Sequence, residues 1–323
     1  MVPKRLVEEL LKKEHKVFVV SAHIHLEGDA LGAELAVASL LRQLGKKVLV
    51  VNDDDPPEEY LFLPGVRTIR KARTYPAYDA AVLVDCSDAS RIGKLKQGLK
   101  AGKPLINIDH HVSNGRFGSV NWVEPKASSA CEMIYTLFRA LKKPIGRKEA
   151  ILLYTGLLSD TGSFRYASTT AYTHEAAADL MKHGIDIHGI NQKLYENFSF
   201  ETMKAIGRVA GNMRKDPTGA VAWVEVPVSL LRKYPALEQQ TDELIRFTRA
   251  VKGAEAALLF KEVAKGEVRV NLRSRGRLDV NKLAQTFGGG GHPKASGCTL
   301  KGSLKGVVAK VVAAAVSAAG RRA

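Results

Sequence analysis

At 323 residues the chain is long for one hydrophobic core and comfortable for two domains, and its 45% hydrophobic and 25% charged shares exclude large-scale disorder. No apolar run reaches about 18 residues and the segment from Met1 to Glu9 is too charged for a secretory leader, so a membrane span is excluded and a cytoplasmic protein is expected. A net charge of +16 favours polyanionic ligands, while three scattered cysteines, Cys86, Cys131 and Cys298, exclude a disulfide framework and a cysteine-rich zinc site.

In chain order, the apolar runs Val17–Val20, Lys47–Val51, Ala80–Val84 and Leu105–Ile108 predict strands, alternating with helical patterns over Ala30–Leu44 and Ser129–Leu141. This alternation predicts an α/β fold, an open, mostly parallel sheet flanked by helices. Val17–Val20 is apolar at every position, as suits a strand covered on both faces. Helical patterning runs from Arg147 to about Glu196, and the polar stretch from Asn197 to Glu201 reads as a connector. Beyond it, strands at Val221–Val226, Ala256–Phe260 and Glu267–Leu272 interleave with helices over Leu237–Val251 and Asp279–Phe287, which makes a second, smaller α/β domain. The expected division is residues 1–196, a linker over 197–209, and residues 210–323.

Three of the predicted strands end on chemistry. His23, Glu27 and Asp29 follow the first, Asp85 follows the third, and Asp109-His110-His111 closes the fourth; Asp160 lies in the helical stretch that follows. Ligands at the carboxyl ends of parallel strands converge on one crevice. A pair of divalent cations about 3.5–4 Å apart needs several carboxylates and imidazoles, one carboxylate bridging, to activate water and stabilise a leaving oxygen. A single Asp after a strand more often caps the next helix, but two histidines beside an Asp at a strand end have no evident packing purpose. Far downstream, Gly288–Gly291 leads into His292-Pro293-Lys294. Such a run either lets a phosphate approach bare backbone N–H groups or is a flexible surface loop, and Arg273-Ser274 upstream favours the phosphate.

With these motifs in order, the chain resembles a DHH-family phosphoesterase with the associated C-terminal substrate-binding domain, from about Val17 to Leu300. Among branches it is most similar to the bacterial nanoRNase and pAp-phosphatase type, which degrades very short oligonucleotides and dephosphorylates adenosine 3′,5′-bisphosphate (pAp). The resemblance makes residues 1–196 the catalytic metal-binding domain and residues 210–323 the substrate-binding domain. It implies that His23, Glu27 and Asp85 hold one Mn²⁺, that Asp29, Asp85, His110 and Asp160 hold the other, and that Asp85 bridges; Mg²⁺ is the second choice of ion. Asp109 would orient His110, and His111 would contact the scissile phosphate and protonate the leaving oxygen. Arg273, Ser274, Gly290, Gly291 and His292 would grip the far end of the substrate, as a ruler for short molecules, with Arg165 either a further phosphate contact or an ordinary ion-pair partner.

One position departs from the family pattern: Glu27 stands where the first motif has Asp, preceded by Leu26 instead of Pro. Restoring Asp is therefore expected to preserve or raise Mn²⁺-dependent activity. The neighbouring His25 is either a compensating ligand or an exposed side chain. The alternatives carried are a linear or cyclic dinucleotide phosphodiesterase and a nucleotide- or nucleic-acid-binding protein whose catalysis Glu27 impairs. Expected partners are short RNA or DNA oligonucleotides, pAp or dinucleotides, with no membrane; a homodimer is left open.

Overall fold

In the computed structural model, which describes residues 1–238 and 240–320, the chain folds as two compact units, Met1–Asn197 and Phe198–Ala323. The first unit carries six strands, β1 (Val17–Ser21), β2 (Lys47–Asn52), β3 (Arg70–Lys71), β4 (Ala80–Val84), β5 (Leu105–Asp109) and β6 (Val120–Val123). All pair in parallel, in the order β3-β2-β1-β4-β5-β6. Successive side chains of a strand point to opposite faces. Phe18, Val20, Val82 and Val84 accordingly enter one core, while Val19, Ala81 and Leu83 enter another, with Tyr75, Ile92 and Leu95. The sequence runs on from β1 to β2 and then crosses back to β4, so the order reverses between β1 and β4. The carboxyl ends of that pair are where an open sheet of this kind leaves a crevice.

The larger core packs beneath α1 (Lys4–Leu11), α2 (Gly28–Gln43), α3 (Ala130–Ala140), α4 (Arg147–Asp160), α5 (Ala171–Met181) and α6 (Ile187–Tyr195). Glycines set how closely α2, α3 and α4 approach. A Cβ on Gly32 would lie 2.5 Å from the Leu152 carbonyl oxygen, and one on Gly156 would lie 2.2 Å from Cys131 Sγ. The helical stretch expected over Arg147 to Glu196 is three helices, because Gly162, Ser163 and Phe164 all take left-handed φ after α4.

The second unit contains α7 (Phe200–Gly211), β7 (Arg214–Lys215), β8 (Val221–Val226), α8 (Val228–Lys233), α9 (Thr241–Arg249), β9 (Ala256–Ala264), β10 (Glu267–Ser274), α10 (Val280–Gln285), β11 (Gly290–His292), β12 (Ala295–Lys301) and α11 (Leu304–Gly320). Its sheet runs β11-β12-β10-β9-β8-β7, parallel only between β8 and β9. Along β10, Val268, Val270 and Leu272 are buried while Arg269, Asn271 and Arg273 point the other way.

One local reading is corrected, and one of two open alternatives is set aside. Residues 197–209, expected as a linker, are largely α7: the Ser199 hydroxyl accepts from Thr202 N–H as the N-cap, and Ala205, Ile206 and Val209 join the second unit's core. The glycine run is not a loose loop, since Gly290–His292 pairs with β12 across the two-residue turn Pro293-Lys294. Among the described residues no helix is long and apolar enough to cross a membrane.

Candidate metal centre

Every proposed ligand comes from the reversal point of the first sheet or from the helix ends that meet it. His23 follows β1. Glu27 is the N-cap of α2 and Asp29 lies in that helix's first turn. Asp85 follows β4 directly, Asp109 ends β5 ahead of His110 and His111, and Asp160 is the last residue of α4. Asp85 has a left-handed backbone, φ 54°, with its N–H donating to the Ile108 carbonyl at 2.9 Å. A non-glycine residue in that region costs on the order of 1–3 kcal/mol and persists where its surroundings over-determine it.

Three groups of donor atoms form here, each within 4.8 Å: Asp85, His110 and His111; His23, Glu27 and Asp85; and Asp29, His110 and Asp160. Asp85 faces two ways, with Oδ2 3.2 Å from His23 Nε2 and Oδ1 3.5 Å from His110 Nε2. His110 Nε2 also lies 3.3 Å from Asp160 Oδ2. The far ring nitrogens are held by backbone: His23 Nδ1 sits 2.7 Å from the Ile24 carbonyl oxygen and His110 Nδ1 3.3 Å from that of Ala127. Carbonyls in those positions select the Nδ1–H tautomer and turn Nε2 into the cluster, as in metal-ligating histidines. Both oxygens of the fully buried Asp29 accept N–H groups from the start of α3, Ala130 at 2.6 Å and Cys131 at 2.8 Å.

The role expected of Asp109 is corrected. Its Oδ1 pairs with His111 Nδ1 at 2.7 Å, not with His110, and its Oδ2 accepts from Asn114 Nδ2 at 2.6 Å. Asn114 is in turn 2.8 Å from Asn107 Oδ1 on β5. Sequence reading passed over Asn114 because an Asn in a loop after a strand is ordinary turn composition; its position three residues past His111 was the only signal.

Four carboxylates in one crevice perturb one another. Burial, then the charges of Asp85 and Glu27, push the Asp29 carboxyl up to about 7. Burial and the neighbouring carboxylates raise Asp160 well above its ordinary value, an effect muted by the 34% exposure of its side chain. Burial opposes the charged form of Asp85, but the imidazoles of His110, His23 and His111 pressed against it outweigh that and hold this carboxyl well below the usual range. His23 is the mirror case: against burial, the bond to Asp85 and the charges of Asp85 and Glu27 hold it up at about 9. Asp85 Oδ1 is buried yet accepts no well-formed hydrogen bond. Carboxylates pressed together, imidazoles turned inward and an orphaned acceptor between them fit divalent cations, and the O and N donor set suits Mn²⁺ or Mg²⁺ over softer metals.

His25 stands outside these groups: it is exposed, has φ 63°, and its N–H donates to Asp54 Oδ2 at 2.8 Å. Arg165 is exposed, with Nε donating to the Gly162 carbonyl at 2.5 Å. In the second unit, Arg273 and Ser274 close β10, and Arg273 is opposite Ala295 on β12, whose Ala295 and Ser296 face His292 and Gly291 on β11. The glycines divide in purpose. A Cβ on Gly289 would lie 2.2 Å from the Gly297 carbonyl oxygen, and Gly291, at φ 146°, would bring one within 2.5 Å of the Ala295 carbonyl oxygen, so the hairpin itself requires both. A Cβ on Gly290 would meet, among the described residues, Asn281 Oδ1 at 3.8 Å, an ordinary contact distance, so the hairpin does not require a glycine there.

Comparison with known proteins agrees with this architecture. The DHH family N-terminal domain matches residues 17–157, and the DHHA1 domain matches residues 238–320. The bifunctional oligoribonuclease and PAP phosphatase NrnA of Thermus thermophilus is 30% identical over 300 residues, 92% of this chain and 88% of that protein. NrnA of Bacillus subtilis is 28% identical over 292 residues, 88% of this chain and 90% of that one. Among solved structures, an exopolyphosphatase-related protein from Bacteroides fragilis superposes with a TM-score of 0.89 at 24% identity, covering 97% of this chain and 95% of its own, a likeness of fold. The chain belongs to the DHH family of phosphoesterases and carries the DHHA1 domain that accompanies it.

Proposed function

We propose that this protein is a metal-dependent phosphoesterase that hydrolyses short oligoribonucleotides and pAp, acting in the cytoplasm with two Mn²⁺ ions held by His23, Glu27, Asp29, Asp85, His110 and Asp160. The observation that carries the reading is the shared carboxylate: Asp85 turns one oxygen toward His23 and the other toward His110, at 3.2 and 3.5 Å. The relatives named as oligoribonuclease and PAP phosphatase support the choice of substrates.

When bound, the cations supply a nucleophilic water near neutral pH and neutralise charge on the phosphate. The protein's own residues do the rest. His23 and His110 are oriented by backbone carbonyls, so they enter the reaction already aimed. His111 is anchored at Nδ1 by Asp109, which fixes the ring so that proton transfer to the leaving oxygen runs through Nε2 in one direction. Residues of the second unit, Arg273, Ser274, Gly290, Gly291 and His292, bind the part of the substrate remote from the scissile bond, with Arg165 a further phosphate contact. Glu27 lies within the donor group of His23 and Asp85, which favours an enzyme over a binding protein with disabled catalysis.

The test is a Mn²⁺-supported activity panel over pAp, short RNA, short DNA and linear and cyclic dinucleotides, with metal content measured on the same preparation. Hydrolysis of pAp and di- to tetranucleotides with two metals bound is expected. Cleavage confined to dinucleotides would move the assignment to a dinucleotide phosphodiesterase, and binding without turnover would refute an enzyme.

A further inference from the structure

Glu27 differs from the family's Asp by one methylene, and the structure accounts for where that extra reach goes. Its Oε1 accepts Ala30 N–H at 2.8 Å, and its Oε2 accepts both Asp29 N–H at 3.1 Å and the Ser159 hydroxyl at 2.8 Å. The two backbone bonds are an ordinary helix cap, which a shorter Asp makes equally well. The third is different in kind, because Ser159 lies on α4 and immediately precedes Asp160. The Tyr60 ring lies beside Ser159 against the same stretch of backbone. The backbone is shaped to admit this pair: a Cβ on Gly28 would lie 2.8 Å from Ser159 Cβ and 3.2 Å from Tyr60 Cε1. The run Glu27-Gly28-Asp29 is thus one carboxylate bonded to Ser159, one residue with no side chain where Ser159 and Tyr60 press in, and one buried ligand.

We propose that Ser159 is a positioning residue: through its hydroxyl it holds Glu27 at the distance from His23 and Asp85 that one cation requires, and it is what allows a glutamate to serve in place of aspartate. The proposal rests on the two-metal reading. A carboxylate offers about four acceptor positions. Three are committed to Ala30, Asp29 and Ser159, which leaves one direction for a cation. Shortening the side chain by a methylene withdraws the carboxylate by on the order of 1 Å, a displacement to which supported sites are sensitive. It breaks the Ser159 bond while leaving the cap in reach. The expectation drawn from the family pattern, that Glu27→Asp preserves or improves the site, is therefore reversed for this chain.

The experiment is a Mn²⁺ titration followed by the electron paramagnetic resonance signal of the free ion, on the wild type, Ser159→Ala, Glu27→Asp and the double variant. Apo melting temperatures are recorded for all four. The expected result is two sites in the wild type, with one weakened about tenfold or more in Ser159→Ala, the range for loss of a residue that orients a ligand. Glu27→Asp loses a similar factor, and adding Ser159→Ala to it changes affinity by less than about twofold, since the bond is already gone. Ser159→Ala that binds Mn²⁺ as the wild type does, Glu27→Asp that binds as well or better, or losses that multiply in the double variant would each overturn the proposal. The Glu27→Asp result stands by itself if Ser159→Ala melts too low to titrate. A wild type that binds no Mn²⁺ would overturn the metal reading first, before any variant is compared.

Discussion

Replacing Asp109 by Asn separates two roles that this residue could have. Asp109 is fully buried between two donors, His111 Nδ1 at 2.7 Å and Asn114 Nδ2 at 2.6 Å. An amide of the same shape presents one oxygen and one NH₂, so while the imidazole keeps its Nδ1 proton one of the two donors must face another donor. That leaves a buried polar group unpaired, at a cost of about 1–3 kcal/mol of stability. If the amide oxygen stays with Asn114, His111 loses its anchor at Nδ1. General acid catalysis contributes about 10²–10⁴ in rate, and kcat for pAp should fall within that range. Metal affinity should barely change, because His110 is held by the Ala127 carbonyl at 3.3 Å and not by Asp109. The assay pairs kcat at saturating Mn²⁺ with the Mn²⁺ dissociation constants. A loss of roughly 10–100-fold in affinity for one ion, the penalty for disturbing the partner of a ligating histidine, would show that Asp109 acts on His110 after all.

Asp85→Ala should abolish hydrolysis and metal binding together. Whereas the wild type gains about 2.7 kcal/mol at Mn²⁺ a hundredfold above its dissociation constant, this variant should show no thermal shift; a normal shift would remove Asp85 from the site. Glu34, buried on α2 with both oxygens accepting from Asn52 Nδ2 at 2.9 and 3.0 Å, has its carboxyl raised by burial from the ordinary 4.5 to about 8. The folded protein keeps this proton while the unfolded chain has lost it, so the associated stability is whole below pH 4.5 and drains away as pH rises to about 8. Glu34→Gln should therefore gain on the wild type between pH 5 and 8, by on the order of 4 kcal/mol at the upper end, in urea unfolding; curves that stay parallel across that window would mean Glu34 is ionised in the fold. Arg273→Ala and His292→Ala should raise KM for pAp and dinucleotides without altering Mn²⁺ binding, and should spare bis-p-nitrophenyl phosphate, which is too small to use them. Equal losses on both kinds of substrate would refute a remote grip.

The strands of the first sheet were legible because β1, β4 and β5 are nearly continuous apolar runs, and the candidate ligands His23, Asp85 and His110 because they follow such runs with acid or imidazole that packing has no use for, whereas Asp160 ends a helix and carries no such signal. Less legible was whatever depends on contact across the sequence. β3 and β7 are two residues each, too short for any periodicity, and β11 is made of glycines that only their neighbours on β12 explain. Ser199 opens a helix that reads as a connector, because a polar cap and a polar loop have the same composition. The pairing of Asp109 with His111 and the bond from Ser159 to Glu27, 132 positions apart, are facts of side-chain direction that no spacing rule contains.

The centre is held together in two distinct ways, and they differ in what mutation can do. His23 and His110 are oriented by carbonyls, Asp29 by two N–H groups at the start of α3, and Asp85 by its own left-handed turn after β4. Substituting the neighbouring side chains leaves those backbone constraints in place, so these four proposed ligands should tolerate drift around them. Gly156 adds a steric condition, since a Cβ there would come 2.8 Å from Asp29 Oδ1. Glu27, beyond its two backbone cap bonds, and His111 lean on side chains, Ser159 and Asp109. On the proposed reading, those two positions are where single substitutions would retune the cation on the His23 side or the proton transfer without dismantling the rest. The one proposed ligand that departs from the family pattern, Glu27, is among them, as expected if a residue supported by a side chain is the one free to change together with its support.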